Sequence, residues 1–205
     1  MSKLTATMSM SLDGFIAGPN DSVEQGLGEN GERLHEWLAD LASFHERHGA
    51  TGGEHNPDSD LLEAAFQQTG AVVMGRRLFD LAVDAWGPNP PFRVPVFVVT
   101  HRGREPLARE GGTTFYFVTD GIESALRQAT AAAGDKNVAV GGGANIIQQY
   151  LRAGLLDEIQ VELVPLLLGA GKRLFDQLGP EPIDLEITRV VPSRRVTHLL
   201  YRVVK

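Results

Sequence analysis

Three strand-like runs in this sequence end in residues suited to holding an anion. "VAVGGGANIIQQYL" (138–151) passes from an apolar run through Gly141, Gly142 and Gly143 into a helical pattern that opens at Ala144 and Asn145. A helix N-terminus offers unpaired N–H groups and the positive end of a dipole, and glycine lets the backbone approach a ligand with no Cβ in the way. That geometry suits a pyrophosphate, and a tight packing turn fits the same letters. In "VVMGRRLFD" a run ends at Gly75, and Arg76, Arg77 and Leu78 open the next helix. Cations are disfavoured at that end of the dipole, so an anionic ligand would resolve the conflict. A third run, "VVTHRGR", supplies Thr100, His101 and Arg102. Ligands of open α/β sheets gather at the carboxyl ends of strands. Any one of these arginines alone reads as solvated surface charge, and it is the coincidence of three strand ends that favours a ligand.

Candidates for proton chemistry are fewer. Glu162 in "IQVELVP" alternates with Val161 and Leu163. An acid there either turns to solvent or, turned inward, anchors an amino-pyrimidine or holds a proton-donating water. No His, Lys or Ser arrangement forms a nucleophilic triad, and the absence of cysteine removes thiolate chemistry and disulfides. His45 and His48 stand at helical spacing, with His35 and His55 nearby, and could supply two metal ligands. The preferred reading is a polar surface segment with no metal.

The elements that must place these residues follow from periodicity. "LTATMSMS" alternates Leu4, Ala6, Met8 and Met10 against polar residues, as a strand does. From Gly18 to about Asp60 the chain turns polar and glycine-rich, an excursion carrying one amphipathic helix marked by Leu34, Trp37, Leu38, Leu41 and Phe44. Trp37 and Phe44 read as its buried face, and a lid over a pocket or a subunit contact is the other role such an insertion can take. "DSDLLEAAFQQTG" reads as a helix capped by Ser59 or Asp60 and ended by Gly70. Strands and helices then alternate to "LDEIQVELVPLLLG", which implies crossover units and a parallel sheet. Two alternating runs around Pro192-Ser193 predict an antiparallel hairpin. The expected fold is one α/β domain over residues 1–205, a mostly parallel twisted sheet flanked by helices and closed by that hairpin, with the excursion at about 21–57.

Composition limits the partners. A chain of 205 residues that is 42% hydrophobic can bury one substantial core. The formal charge of -7 leaves no basic stripe for nucleic acid. No apolar run approaches ~20 residues and the first residues lack a signal-peptide pattern, so neither membrane nor export is expected and the cytoplasm is the default location.

In order and spacing, "MSLDGFIAGPN", "VVMGRRLFD", "VFVVTHR", "VAVGGGANIIQQYL" and "LLDEIQVELVPLLLGAGKRLF" resemble the dihydrofolate reductase-like superfamily. Within it they are most similar to the reductase domain of bacterial riboflavin-biosynthesis deaminase/reductases, the RibD C-terminal domain, and its stand-alone relatives. The resemblance covers nearly the whole chain outside the excursion. It implies an NADPH-dependent reductase, often a homodimer, that passes a hydride from the nicotinamide to a C=N or C=O carbon of a small pyrimidine-like, pterin-like or carbonyl substrate. By position, Gly141, Gly142, Gly143, Ala144 and Asn145 would lie against the pyrophosphate and nicotinamide side. Gly75, Arg76, Arg77 and Leu78 would hold the pyrophosphate and 2′-phosphate, and Thr100, His101 and Arg102 the adenine ribose. Ser9, Ile16 and Ala17 would accept and cover the nicotinamide carboxamide. Asp13, after Leu12, begins the mobile loop and joins Glu162 as a catalytic candidate. Dihydrofolate reductases proper carry a carboxylate on the helix after the first loop, but the aligned position here falls near Leu61, which argues against folate. That gap also supports a rival reading, a non-catalytic nucleotide-binding or assembly protein that kept the cofactor cradle.

Overall fold

The structure is a computed structural model that describes residues 2–205. Its centre is a nine-stranded sheet. β1 (Leu4–Ser11) lies between two parallel neighbours, β7 (Asn137–Val140) and β8 (Glu158–Val164). β7 pairs in parallel with β3 (Thr69–Gly75), β3 with β4 (Pro95–Val99), and β4 with β6 (Thr114–Val118), beyond which the short β5 (Leu107–Ala108) runs antiparallel. On the other side β8 pairs with β11 (Thr197–Val203), which forms the expected antiparallel hairpin with β10 (Leu185–Pro192). A separate two-stranded ribbon joins β2 (Phe15–Ala17) to β9 (Lys172–Arg173).

Helices cover both faces, as crossover connections require. α4 (Ile122–Ala133) and α5 (Ala144–Arg152) pack Ala125, Ala129, Ile146, Ile147 and Tyr150 against Ala6, Val73, Val138, Val140 and Ile159. α3 (Arg76–Ala82) places Phe79 against Val72, Met74, Val96, Val98 and Phe115 on the opposite face. The same side receives α2 (Pro57–Gln68) and the excursion, whose Leu34, Trp37 and Leu41 form a third cluster with Val164 and Val196.

The excursion departs from expectation in its backbone. Instead of one amphipathic helix there is a 3-10 turn (Gly31–Leu34), a series of turns, and the six-residue α1 (Ala42–Arg47). His35, Leu38 and Leu41 donate their N–H groups to Glu32, His35 and Leu38, so the winding is three residues per turn. The apolar spacing identified the buried residues correctly, since Leu34, Trp37 and Leu41 are all buried in one cluster. α2 is capped by Asn56, whose side chain accepts from Ser59 N–H at 3.0 Å, with Pro57 in the first turn, and not by Ser59 or Asp60. Gly70 lies within β3, where a Cβ would come 2.6 Å from the Ala133 carbonyl; close packing under α4, not helix termination, demands glycine there.

Candidate functional site

At the carboxyl end of β7, Gly141 N–H continues the ladder by donating to the Val73 carbonyl at 2.8 Å, and a Cβ on Gly141 would stand 2.8 Å from Val72 Cγ1. Gly142 and Gly143 have φ of 119° and 87°, a region that L side chains rarely adopt. A Cβ at Gly142 would touch Met8 Cε and Leu78 Cδ2 at 3.3 and 3.4 Å, whereas one at Gly143 would meet nothing within 4 Å. Gly143 is the N-cap of α5 and no side chain caps that helix; the Asn145 side chain accepts from Gln149 at 2.6 Å instead. The first N–H groups of α5 therefore have no side-chain cap, the condition for receiving an anion. Gly142 beside Leu78, and a Gly75 Cβ position 3.9 Å from Ile146, set the starts of α3 and α5 side by side.

The arginines of α3 diverge. Arg76 Nε donates to Asp80 at 2.7 Å, one turn along the helix, and its guanidinium carbon stands 6.0 Å from the centre of the Phe117 ring, which Arg104 also approaches at 5.0 Å. Arg77 turns to the excursion, with Nε 3.0 Å and Nη2 2.9 Å from the Asp21 carboxylate, which also takes a bond from Lys172 Nζ. The hydrogen bond from Arg77, helped by Lys172, holds Asp21 at about 2, far below the usual carboxylate value. Both arginines thus have acidic partners that answer the dipole conflict without a ligand. Thr100 is buried and its Oγ1 accepts from Arg102 N–H at 3.1 Å, while His101 and Arg102 are exposed at the end of β4.

Further along the same face, register builds a polar row. Ser9 on β1 lies opposite Glu162 on β8, and Glu162 opposite His198 on β11. Glu162 is turned inward and only 4% exposed, His198 0% and Asp58, in the first turn of α2, 9%. His198 Nδ1 bonds Glu162 Oε2 and its Nε2 lies 2.9 Å from Asp58 Oδ1, while Gln160 donates to Glu162 Oε1 at 2.6 Å. Both ring nitrogens face carboxylate oxygens, an arrangement in which an imidazolium can donate to each. Burial opposes that charge, but Glu162 and Asp58 outweigh it and raise the His198 pKa. Trp37 roofs the row: its Nε1 donates to Ser9 Oγ at 3.2 Å and its ring meets His198 edge-on at 5.5 Å.

The remaining candidates lie around the loop after β1. Asp13 accepts from Ser11 Oγ at 2.6 Å and from the N–H groups of Leu168 and Gly169 at 3.1 and 2.7 Å. The Ser11 bond above all brings it to about 2, so it is an ionised acceptor tying this loop to the segment after β8. Ile16 and Ala17 are buried in β2, and a Cβ on Gly171 would fall 2.0 Å from the Ala17 carbonyl. His45 and His48 each bond a backbone carbonyl, of Ala39 and Phe44, at 2.7 and 2.8 Å. Among the described residues no group of three or more His, Asp or Glu could hold a metal ion.

The family model of the RibD C-terminal domain matches residues 2–199. The chain belongs to the RibD C-terminal domain family. Two Bacillus subtilis relatives, the uncharacterized proteins YyaP and YwjB, are each 23% identical to it, over 84% and 87% of this chain and 80% and 86% of their own. Among solved structures, a Shewanella sp. PV-4 protein named for riboflavin biosynthesis superposes with a TM-score of 0.70 at 22% identity over 99% of both chains. The riboflavin biosynthesis reductase of Saccharomyces cerevisiae gives 0.59 at 12%, over 99% of this chain and 90% of its own. Dihydrofolate reductase of Enterococcus faecalis, solved with NADP(H), gives 0.56 at 15%, over 99% and 97%.

On this RibD C-terminal domain frame, some of the predicted residues converge, while Arg76 and Arg77 turn to acidic partners. Gly75, Leu78, Gly142 and Ala144 are brought together where α3 and α5 begin, beside the row that starts at Ser9. Sequence reasoning missed Asp58 and His198: it placed the position of the helix carboxylate near Leu61 and found no acid there, whereas α2 presents a buried acid at Asp58. One signal for His198 was present: it shares strand parity with Val196, which is buried, so a polar residue was due to face inward. Nothing local marked Asp58, because its partner lies 140 residues away.

Proposed function

We propose that the protein is an NADPH-dependent reductase of a small heteroaromatic or carbonyl compound, of the pyrimidine-like or pterin-like kind. The observation that carries this reading is the uncapped start of α5 behind Gly142 and Gly143, open on the side where a Cβ would meet nothing. An uncapped helix start of this kind favours a pyrophosphate by charge. Arg76 and Arg104 share the Phe117 ring next to it, and Arg102 is exposed at the adjoining strand end; a guanidinium cluster of this kind favours the 2′-phosphate that separates NADPH from NADH. Ser9 accepts from Trp37 and so retains its own O–H for a carboxamide oxygen, with Ile16 and Ala17 as the apolar cover. When bound, the cofactor supplies the hydride.

The substrate end is assigned to Asp58 and Glu162. Each carboxylate is fixed by His198 and leaves acceptor capacity for substrate N–H groups. The rival non-catalytic reading drew on a missing helix carboxylate, and Asp58 supplies one. Asp13 is assigned to holding the loop after β1, since an ionised carboxylate accepting three bonds has no proton to give at neutral pH. A homodimer in the cytoplasm completes the proposal. β10 supports it: the register shift between Ile187 and Arg189 returns Val190 to the face of Leu185 and Ile187, so that exposed apolar side chains continue the stripe of Val203, Tyr201 and Leu199 past the last helix. No helix among the described residues is long and apolar enough to cross a membrane.

The test is titration of the protein with NADPH and NADH, followed by NADPH oxidation with a panel of pyrimidines, pterins and carbonyl compounds. Preference for NADPH with turnover of one panel member is expected. Binding without turnover of any compound favours the cradle-only reading, and no binding of either cofactor refutes both.

A further inference from the structure

Asp21 stands where the site's own chemistry calls for a ligand anion. It lies in the segment between β2 and the 3-10 turn, which folds back on itself through Gly18 N–H to the Leu27 carbonyl at 2.8 Å and Glu29 N–H to the Pro19 carbonyl at 2.9 Å. Gly28 lets the two arms of that fold touch, since a Cβ there would fall 2.4 Å from the Pro19 carbonyl. The loop therefore presents Asp21 from a fixed base. Its carboxylate, 10% exposed, receives Arg77 from the first turn of α3 and Lys172 from β9, both far more open to solvent than the acid between them. Three elements distant in sequence converge on one carboxylate, and Arg77 adjoins Leu78, whose side chain borders Gly142.

From this geometry we infer that Asp21 is an affinity-setting residue of an anion site at the starts of α3 and α5, an internal anion that competes with a phosphate group for Arg77 and Lys172. The inference rests on the reading of the α3 and α5 starts as a phosphate cradle. The two cations carry one carboxylate between them, so a net positive charge remains to attract a ligand. A phosphate that arrives must either displace Asp21 or sit against its like charge. Either way the acid weakens binding of the anion, because like charges a few ångströms apart and partly shielded from solvent repel. Such an occupant also spares the empty site two unpaired cations facing each other, which is a reason for a chain to keep it. Trp37, from the same excursion, donates to Ser9 at the polar row, so the insertion contacts that row as well as Arg77.

The experiment compares wild type with Asp21→Asn, which keeps shape and a carbonyl acceptor for Arg77 and Lys172 while removing the charge. NADPH and inorganic pyrophosphate are titrated separately into each. Asp21→Asn is expected to bind both at least tenfold more tightly, and the gain is expected to vanish in the double variant Asp21→Asn/Arg77→Ala. Glu186→Gln, which removes a charge from an ion pair with Arg202 at the far sheet edge, is expected to leave both affinities within twofold of wild type. Unchanged or weaker pyrophosphate binding by Asp21→Asn overturns the inference, as does an equal gain from Glu186→Gln. If pyrophosphate tightens while NADPH binds to neither protein, the inference stands and the cofactor reading fails. If wild type binds NADPH and Asp21→Asn does not tighten it, the cofactor reading stands and the inference fails.

Discussion

Replacing Gly143 by alanine separates a ligand cradle from a packing turn, provided Gly141→Ala is made beside it. At Gly143 the new methyl meets no protein atom within 4 Å, so its only internal cost is the φ of 87°. With ψ at 125° this is a sparsely populated region outside the left-handed helix, which costs an L residue about 1–3 kcal/mol and for a domain of this size lowers Tm by roughly 2–12 °C. The methyl then projects into the open space before α5, where it holds a phosphate off the helix N–H groups. Losing one charge-assisted hydrogen bond costs about 1.5–3 kcal/mol, a roughly ten- to hundredfold rise in the NADPH Kd. At Gly141 the methyl instead presses on Val72 Cγ1 from 2.8 Å. Val72 is buried and β-branched and cannot swing aside, so overpacking of about 1–3 kcal/mol is expected, with NADPH affinity nearly kept. Thermal melts without ligand and NADPH titrations on both variants give the answer. If Gly143→Ala binds NADPH within twofold of wild type, the glycines are a packing turn and the cofactor assignment at this strand end is wrong.

Four further outcomes follow from the same geometry. Arg76→Ala and Arg102→Ala are each expected to weaken NADPH about tenfold or more while leaving NADH nearly unchanged, since each removes a guanidinium available to the 2′-phosphate; equal losses for both cofactors in titration would contradict the assignment. His198→Ala strands two buried carboxylates against each other and is expected to cost about 3–5 kcal/mol in denaturant unfolding, whereas a loss under 1 kcal/mol would show that the imidazolium is not what holds them. Because the folded pKa of His198 is raised above 6.5, its contribution is complete below that pH and fades as pH rises through the elevated value; wild type is expected to lose stability on that alkaline side, and His198→Gln to lack this component. Ile187→Glu on the exposed face of β10 is expected to convert a dimer to monomers in analytical ultracentrifugation, and a wild type that sediments as a monomer at every concentration would end the dimer proposal.

The sheet was legible because its signals are local. Alternation in 4–11 and 197–203, and apolar runs closed by glycine at Gly75 and Gly141, mark strands without reference to anything distant. The excursion shows where that information stops. Apolar residues at 34, 37, 38, 41 and 44 define a face, but a face is compatible with a 3-10 winding when a sheet is present to receive it, and burial of Trp37 over His198 decides the outcome. Capping was misjudged for a similar reason. Ser59, Asp60 and Asn56 all have the side chain for it, and Pro57, which suits the first helical turn, pointed to Asn56.

The site divides along the same line. The glycine cradle and the arginines were visible because a strand end followed by a helix start is a contiguous string of residues. The acid-imidazolium-acid row was not, since Ser9, Glu162 and His198 become neighbours only through the register of β1, β8 and β11, and Asp58 joins them from another layer. Pairing changed the meaning of single residues as well. The sequence reading treated the unfavourable position of Arg77 at a helix start as a request for a ligand; the fold answers with Asp21, 56 residues away. Yet one carboxylate shared by Arg77 and Lys172 leaves the cluster positive, so the original request is reduced and not removed. A binding site whose cations are partly answered from within would be weaker than the motif alone implies, and on the reading proposed above its affinity would be set by Asp21, a residue of the excursion far in sequence from both helix starts.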